Sequence, residues 1–336
     1  MKSLVVGGNF GQDKKESKIA GIIASSLYAD ILNGGDISDI PKNLEHDLIV
    51  WIPNIQNYED KQYPVKSQGS VLICSKVMRQ ETTKIEAISR IFKMQANAVI
   101  CIYNKEQEYA FELVDALGNT WYLGVDIHSL CTRIIDLYNF IKSAVRINTR
   151  KSDLTSKVIV SSKLSNFIGI NRDLAKRITN SCGSRFFGNI STRCKSLFPS
   201  MRHDFFLFSP RNSNKESIMP EDMVQCYNKF DSLFYIGDNK PSIDAPIQMD
   251  IYRNKVKINY LIHGHAFIKG AVTTKNYYVC GDLREAKEVK SIIHDNPFGF
   301  MNLRNHGFLI FSRKILELQN LIDGLEFYYE REKYAD

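Results

Sequence analysis

The chain has 336 residues, which exceeds the usual size of a single hydrophobic core, so we expect two domains. Its 44 basic and 37 acidic residues give a net charge of +7, and the basic excess is spread along the chain. This balance suits a small anionic substrate and carries no specific signal for nucleic acid. No apolar stretch approaches the roughly 20 residues of a spanning helix, and the first residues do not resemble a signal peptide, so we expect a cytoplasmic protein without membrane contact.

Short apolar runs alternate with helical patterns in the first half of the chain. Runs such as "SLVVGG", "HDLIVWIPN", "GSVLICSK" and "ANAVICIY" are separated by helical stretches such as "ESKIAGIIASSLYADIL" and "KIEAISRIFKMQ". Continuous Val, Ile and Leu runs with helices between them are typical of a parallel sheet covered on both faces. We therefore predict a doubly wound α/β domain, Rossmann-like or flavodoxin-like, over residues 1–148, with a late hairpin at Gly118-Asn119.

Two glycine-rich turns of this domain are candidates for phosphate binding. The stretch "LVVGGNFGQDKKESK" places glycines between a strand and a helix, and "LNGGDISDI" follows the second strand at the same edge of the sheet. Neither turn matches a dinucleotide or P-loop signature, and a tight turn without a ligand explains them equally well. We predict an accessory module, with a nucleotide or a sugar phosphate as its candidate ligand.

The polar and basic stretch "RINTRKSDLTSK" has no apolar periodicity, so we predict a linker at residues 149–158. Beyond it, strand-like pieces such as "FFLFS", "SLFYIG", "INYLIHGHAF" and "FGFMNLRNHGFLIFS" follow one another with few helices between them. This order favours an α+β domain with a largely antiparallel sheet over residues 159–336.

Three of the seven histidines lie in strand-like surroundings in the second half, namely His263, His265 and His306. On an extended strand residues i and i+2 face the same side, so both imidazoles of His263-x-His265 can point at one ion. A third nitrogen from a neighbouring strand would leave the fourth position of a zinc ion open, as in catalytic sites. The spacing also fits a surface strand whose histidines only form hydrogen bonds.

An ordered series of motifs resembles the class II aldolase/adducin family from about residue 165 to the end. These motifs are "FFGNIS", "FFLFSPRNSNKESIMPEDMV", "NKPSIDAPIQMDIYRN", "INYLIHGHA" and "NHGFLIF". The resemblance implies a zinc ion, or another divalent metal, held by His263, His265 and His306. Adducins, the non-catalytic branch, typically lack this set, so its presence favours an enzyme. Members of the family are commonly homotetramers, which implies a homo-oligomer here.

The resemblance implies a zinc-dependent lyase that cleaves an anionic sugar, in most family members a phosphorylated one, through an enediolate. A Lewis acid suits this chemistry because it stabilises the negative charge that develops on the substrate oxygens, and neutral imidazoles leave the charge of the metal intact. A 4-epimerase or a dehydratase on the same scaffold is the close alternative. A binding or assembly module that resembles adducin is the alternative from another class.

The candidate residues for proton transfer depart from the pattern of the aldolases. At the position of the glutamate that sugar-phosphate aldolases use as acid and base, this chain has Asp244, as the ribulose-phosphate 4-epimerase branch does; a helix cap is the structural alternative for Asp244. The aldolases carry a catalytic tyrosine in a segment that is shortened here, since only 40 residues lie between His265 and His306. The nearest substitutes for that tyrosine are Tyr277 and Tyr278. The catalytic tyrosine of the epimerase branch lies near the C-terminus, where this chain has Tyr328, Tyr329 and Tyr334, and the sequence leaves all five open.

By the same resemblance, short polar motifs would hold the anionic group of the substrate. One of them reads "FSPRN", in which Arg211 and Asn212 replace the small residue and the glycine of the family. The loss of glycine removes room for a close backbone approach, while an arginine adds a fork that binds phosphate or carboxylate. The predicted anion-binding residues are Gly188, Asn189, Ser191, Arg211, Asn212 and Ser242.

Overall fold

In the computed structural model the chain forms two compact units, Met1–Ser143 with Cys182–Ser184, and Ala144–Ser181 with Arg185–Asp336. Among the described residues, no helix combines the length and the apolar character needed to cross a membrane. Most of both predicted glycine-rich turns, and Tyr334, lie outside the residues that the structure describes. The described residues are 1–8, 15–33, 40–52, 65–67, 69–105, 108–155, 158–178, 181–182, 185–198, 205–255 and 257–329.

The first unit is built on a sheet of seven strands. In chain order its elements are β1 (Ser3–Gly7), α1 (Lys15–Leu27), β2 (Asp30–Asn33), β3 (Asn43–Leu44), β4 (Leu48–Trp51), β5 (Val65–Lys66), β6 (Val71–Met78), α2 (Lys84–Lys93), β7 (Ala98–Lys105), β8 (Glu108–Asp115), β9 (Thr120–Gly124) and α3 (Ile127–Lys142). The strand order is β2-β1-β4-β6-β7-β8-β9, and β3 pairs separately with β5.

The main sheet of this unit is mixed, with mostly parallel strands. The pairs β1–β2, β1–β4, β4–β6 and β6–β7 are parallel, whereas β7–β8 and β8–β9 are antiparallel. The antiparallel end contains the predicted hairpin, where Gly118 adopts a φ of 85° in the turn between β8 and β9. Side chains of α1 and α3 form one hydrophobic core with the sheet, and α2 packs on β6 and β7.

The second unit is built on a sheet of eight strands. Its elements are β10 (Thr149–Lys151), α4 (Ser162–Arg177), β11 (Ser181–Cys182), β12 (Arg185–Phe186), β13 (Asn189–Arg193), α5 (Cys194–Leu197), β14 (Phe206–Phe208), a 3-10 turn (Pro220–Asp222), β15 (Val224–Lys229), β16 (Ser232–Tyr235), α6 (Ala245–Asn254), β17 (Tyr260–Gly264), β18 (Phe267–Ile268), α7 (Leu283–Ile293), β19 (Gly299–Leu303), β20 (Gly307–Ser312), α8 (Ile315–Asp323) and β21 (Phe327–Tyr328).

The strand order of this sheet is β10-β16-β15-β14-β13-β17-β20-β19. All described pairings in it are antiparallel except that of β10 with β16, which is parallel. Strand β10 lies inside the stretch that we predict as a linker, and its residues pair with Leu233–Tyr235. The predicted linker therefore contains an edge strand. Strand pairing uses the backbone N–H and C=O groups, which polar residues also have.

Helices cover both faces of the sheet in the second unit. Alternate side chains of the central strands point to opposite faces: Ile190, Ile262 and Ile310 pack with α4 and α8, whereas Leu261 and Leu309 pack with α6 and α7. The end of β17 and the start of β20 meet between these layers, because Gly264 pairs with Phe308 in the antiparallel register. The three histidines lie at this end of the two strands.

Candidate metal centre

The three predicted histidine ligands converge at the meeting point of β17 and β20. His263 lies in β17, His265 follows the strand directly, and His306 precedes β20. One nitrogen of each ring lies within 4.8 Å of one nitrogen of each of the other two. The ring centroids of His263 and His306 are 4.7 Å apart, and those of His265 and His306 are 5.3 Å apart. The structure therefore brings the three residues into one cluster.

Two glycines allow the backbone to approach closely at this cluster. Gly307 adopts a φ of 142°, and a Cβ atom there would collide with the carbonyl oxygen of Gly264. Gly188, with a φ of 72°, lies against the carbonyl oxygen of His263 in the same way. A side chain at Gly307 would push β20 away from β17, and one at Gly188 would push the start of β13 away from β17, which explains the glycine in "NHG" and in "FGN".

His263 is held in a defined tautomer. Its Nδ1–H donates to the carbonyl oxygen of Phe308 at 2.8 Å, which leaves a lone pair on Nε2. The side chain is 5% exposed, and no group of the described chain forms a hydrogen bond with Nε2. Burial, together with the charge of His306, lowers the pKa of His263 to about 3, so the imidazole is neutral at physiological pH.

His306 is oriented by a buried carboxylate. Its Nδ1 lies 3.0 Å from Oε1 of Glu285, and its Nε2 lies 3.4 Å from the Sγ atom of Cys280. Burial alone would lower the pKa of His306, but Cys280 and Glu285 raise it well above its ordinary value. The carboxylate therefore fixes Nδ1 as a donor and leaves Nε2 for a proton, for a hydrogen bond from the thiol of Cys280, or for a cation.

The donor set fits a divalent metal ion. Three imidazoles are typical ligands of catalytic zinc, and a carboxylate behind one of them is the usual means of fixing its tautomer. The Nε2 atom of His263 is the decisive observation, because a buried acceptor without a hydrogen bond costs about 1–3 kcal/mol unless a ligand satisfies it. His265 is held at the rim of the cluster, where its ring stacks on Phe187 at a centroid distance of 4.7 Å.

Asp244 lies beside the histidine cluster and is 7% exposed. Its Oδ1 accepts the amide proton of Gly281 at 2.8 Å, and its Oδ2 accepts a hydrogen bond from Nδ2 of Asn189 at 3.3 Å. The residue occupies the N-cap position of α6, but within the described chain its carboxylate caps no amide of that helix. The carboxylate lies at the cluster instead. One of its oxygens is within 4.8 Å of a ring nitrogen of His306 and of the Sγ atom of Cys280.

The surroundings of Asp244 shift the pKa of its carboxyl group. Burial raises the pKa of this carboxyl group above its ordinary value, and the nearby charges of His306 and Arg211 and the amide of Gly281 oppose that rise. A carboxyl group whose pKa is raised in this way holds its proton to a higher pH than an exposed aspartate does, which suits a group that transfers protons.

The structure brings some of the predicted anion-binding residues to the cluster. Asn189 positions Asp244 and pairs with His263 across the sheet. The hydroxyl of Ser242 accepts the amide proton of Asp244 at 3.4 Å, so it shapes the turn before α6. Ser191 is fully buried, and its Oγ lies 2.9 Å from the hydroxyl of Tyr252. Its hydroxyl is thus used within the core, so we leave Ser191 out of the anion pocket.

Arg211 and Asn212 stand on an exposed turn near the cluster. Desolvation and the positive charge of Arg185 lower the pKa of Arg211, while the negative charge of Asp244 raises it, so the three charges lie within electrostatic reach of one another. Asn212 adopts a φ of 59°, and its side chain accepts the amide proton of Phe186 at 2.8 Å. Asn212 therefore shapes the turn, and Arg211 and Arg185 supply the positive charge.

The candidate tyrosines differ in their surroundings. Tyr277 and Tyr278 are half-buried and precede Cys280 by three and two residues. Burial and a hydrogen bond to Glu288 raise the pKa of Tyr278, and the guanidinium of Arg284 lies 5.7 Å from the centre of its ring. Near the C-terminus, Tyr328 packs on Phe267 at the short β18–β21 pair, and Tyr329 packs against the core shared by α4 and α8.

Three residues at the cluster are absent from the sequence predictions. Glu285 and Cys280 contact His306, and Lys215 is buried near His263, whose pKa it helps to lower. Burial lowers the pKa of Lys215 to about 8. The sequence alone assigns these residues no role: Glu285 belongs to the charged helical stretch "LREAKEVKSII", and Lys215 lies in the polar part of the motif "FFLFSPRNSNKESIMPEDMV". Their role depends on how α7 and the loop after β14 pack.

A groove of about 590 Å³ lies at the opposite end of the β17–β20 pair. It is lined by residues that include Lys163, Asn259, Tyr260 and Arg313, and it includes none of the predicted site residues in its described lining. The histidine cluster is nearly closed in comparison, so its assignment rests on the chemistry of its donors.

Part of the second unit matches a known protein family. Residues 168–275 match the family described as "Class II Aldolase and Adducin N-terminal domain". No curated protein matches the chain. Among solved structures, L-fuculose 1-phosphate aldolase is 16% identical, with 49% of this chain and 82% of that protein covered and a TM-score of 0.38.

Two further solved structures have similar sequence identities, coverages and TM-scores. YgbL from Escherichia coli is 16% identical, with 50% of this chain and 94% of that protein covered and a TM-score of 0.36. L-fuculose-1-phosphate aldolase from Thermus thermophilus is 16% identical, with 47% and 85% covered and a TM-score of 0.34. The match of residues 168–275 to the family model shows that the C-terminal part of the chain contains a class II aldolase domain.

Proposed function

We propose that the second unit is a zinc-dependent lyase that cleaves a carbon–carbon bond of an anionic, phosphorylated sugar. The observation that supports this most strongly is the convergence of His263, His265 and His306, with a buried Nε2 atom of His263 that lacks a hydrogen-bond partner among the described groups. In an adducin-like assembly module without a metal, the buried Nε2 atom would stay unsatisfied, and an unsatisfied buried acceptor destabilises the fold.

The three histidines would hold the ion. A divalent ion bound there would supply a Lewis acid for the charge that develops on the carbonyl oxygen of the substrate. Glu285 holds His306 in place, and the carbonyl oxygen of Phe308 holds His263, so the chain supplies ligands whose tautomers are set before the substrate arrives.

Asp244 is the proposed acid and base. Its carboxyl group lies beside His306, and its raised pKa allows it to carry the proton that the reaction moves between substrate oxygen and carbon. Asn189 and the amide of Gly281 fix its two oxygens. Tyr277 and Tyr278 are the proposed candidates for the proton donor to the leaving group, and the hydroxyl of Tyr278 donates to Glu288.

Arg211 and Arg185 are the proposed anion-binding residues. The guanidinium group of Arg185 is close enough to lower the pKa of Arg211, so an anionic ligand between the two groups would stabilise both. A phosphate or a carboxylate can accept two hydrogen bonds from one guanidinium group. Gly188, Asn189, Asn212 and Ser242 then shape the turns around the pocket instead of contacting the anion.

Epimerisation is the second candidate function, and Asp244 is the observation that favours it. An aspartate at this position resembles the 4-epimerase branch, and its shorter side chain reaches about 1.5 Å less far than a glutamate. The product distinguishes the two reactions: a lyase releases a two- or three-carbon fragment from a sugar phosphate, whereas an epimerase returns a sugar of the same length.

The test uses the full chain, metal analysis and a panel of ketose phosphates. We expect about one zinc ion per chain, release of a short aldehyde or ketone fragment, and loss of both the zinc and the activity in His263→Ala. The control is His128→Ala, which alters an exposed histidine of the first unit. If the purified chain binds no divalent metal, or if a strong chelator leaves turnover unchanged, the proposal is wrong.

We also propose roles for the rest of the chain. Residues 1–148 form a Rossmann-like accessory domain with a nucleotide or sugar phosphate as its ligand. The stretch 149–158 connects it to the catalytic domain at 159–336 and adds strand β10 to the sheet of that domain. The protein assembles as a homo-oligomer. The mostly parallel strand pairs β1–β2, β1–β4, β4–β6 and β6–β7 support the first of these proposals.

A further inference from the structure

A thiol lies at the histidine cluster. The Sγ atom of Cys280 is 3.4 Å from Nε2 of His306, and one oxygen of Asp244 lies within 4.8 Å of both atoms. The turn that carries Cys280 is held to the cluster, because the amide of Gly281 donates to Oδ1 of Asp244 at 2.8 Å. The thiol thus shares His306 with the three-histidine set.

The distance from sulfur to nitrogen has the value expected for two ligands of one ion. Zinc binds thiolate sulfur at about 2.3 Å and imidazole nitrogen at about 2.0–2.1 Å, so two such ligands in a tetrahedral site lie about 3.5 Å apart. The orientation of His306 agrees with this geometry, because Glu285 occupies Nδ1 and leaves Nε2 for the ion.

A second and independent observation points to a cation at the three-histidine group, which shares His306 with Cys280. His263 is 5% exposed, its Nδ1–H is used by Phe308, and its Nε2 faces the other two histidines without a hydrogen bond from any described residue. An ion at the centre of the three histidines satisfies this nitrogen, and Cys280 is the cysteine with a described contact to one of these histidines.

The other cysteines have different surroundings. All seven lie in the described ranges; six are buried, and Cys280 is partly exposed. The thiols of Cys74, Cys182 and Cys226 donate to backbone carbonyl oxygens, as expected for structural cysteines. Only for Cys280 is a sulfur–imidazole contact described, so among the described contacts this cysteine alone lies against a candidate metal ligand.

We propose that the thiolate of Cys280 is the fourth protein ligand of the metal ion, together with His263, His265 and His306. This inference rests on the proposed function, since it needs the ion that the histidines bind. On binding, the thiol loses its proton to the solvent and sulfur donates a lone pair to the ion, with no change in oxidation state. Asp244 is then free of the ion and available for proton transfer.

Thiolate ligation changes the expected chemistry of the site. A thiolate lowers the effective charge of the ion and favours softer metals such as zinc over magnesium or manganese. It also closes the fourth coordination position until the substrate displaces the sulfur or the ion becomes five-coordinate. Cys280 would therefore keep the ion in place while no substrate is bound.

X-ray absorption at the zinc edge tests this proposal on the full chain loaded with zinc. We expect one sulfur at about 2.3 Å in the wild type and only nitrogen or oxygen ligands in Cys280→Ser, with zinc still bound through the histidines. Cys131→Ser, which changes a buried cysteine of the first unit, is the matched control and should keep the sulfur signal.

A second measurement needs no variant. Zinc should slow the reaction of Cys280 with iodoacetamide at least tenfold, and peptide mapping should show that a chelator restores the rate. Zinc bound by nitrogen and oxygen alone in the wild type, a sulfur signal that persists in Cys280→Ser, or no protection of Cys280 would each overturn the thiolate ligand and leave the proposed function standing. A wild-type chain that binds no zinc would overturn both.

Discussion

Replacing Lys215 by methionine probes the electrostatics of the loop beside the histidine cluster. Lys215 is 4% exposed, and its ammonium donates to the carbonyl oxygen and the hydroxyl of Ser213 at 2.6 and 3.2 Å. Burial lowers the pKa of Lys215 from 10.5 to about 8, so the folded protein binds this proton less tightly than the unfolded chain does.

The sign of the effect on stability follows from proton linkage. A lysine whose pKa falls on folding destabilises the native state by its full amount below the folded pKa, near pH 8. The cost shrinks as the pH rises towards 10.5 and vanishes above it, because the amine is then neutral in both states. A fall in pKa from 10.5 to about 8 corresponds to roughly 3 kcal/mol.

We therefore expect Lys215→Met to raise the free energy of unfolding by up to about 3 kcal/mol at pH 7, and to change it little above pH 10.5. Methionine has a similar length and no charge. The assay is urea unfolding at several pH values with a chelator present, followed by circular dichroism. Fluorescence identifies the transition of the first unit, because both tryptophans, Trp51 and Trp121, lie there.

Lys163→Met, which changes an exposed lysine on α4, is the control and should show no such pH dependence. The reasoning is refuted if Lys215→Met destabilises the second unit at pH 7, or if the difference from the wild type is the same at pH 7 and at pH 10.5.

Three further predictions follow from the contacts at the cluster. Glu285→Gln should weaken zinc binding by about 10–100-fold, since it loses the carboxylate behind His306. Competition with a chelating dye measures the affinity, and the exposed control is Glu221→Gln. Equal zinc affinities of the two variants would count against the role of Glu285. Asp244→Asn should lower kcat by about 100-fold or more at unchanged zinc content, because it removes the proton carrier while keeping the side chain's size; near-normal turnover would assign the proton to another group. Gly188→Ala should destabilise the second unit by about 1–3 kcal/mol, since its Cβ would meet the carbonyl oxygen of His263 at a positive φ. Gly169→Ala on α4, where the added Cβ has no described atom within 4 Å, should instead stabilise it by about 0.5–1 kcal/mol, and similar unfolding midpoints for the two variants would contradict the steric explanation.

Much of the architecture is readable from local patterns. The continuous apolar runs of the first half form the mostly parallel part of its sheet, and the glycine at position 118 marks the hairpin that ends it. The motifs of the second half identify its family, and the three histidines that they contain come together in the structure. These features are readable because strand periodicity and tight turns depend on neighbours only a few residues away.

Other features depend on contacts between distant segments. The polar stretch at residues 149–151 looks like a linker, yet it adds an edge strand, because strand pairing uses backbone groups that every residue has. Ser191 matches a motif for anion binding, but the fold buries it against Tyr252. Asp244 stands at a helix start, where an aspartate usually caps, and the fold turns its carboxylate towards Gly281 and Asn189.

The residues that surround the histidines show the same limit most clearly. Glu285 and Cys280 lie 21 and 26 positions before His306 and carry no motif, and they reach it because the chain between β18 and β20 folds back so that α7 packs on α6. The identity of the ligands is a property of the local motif, whereas the orientation of His306 and the sulfur beside it depend on helix packing, which no local spacing encodes.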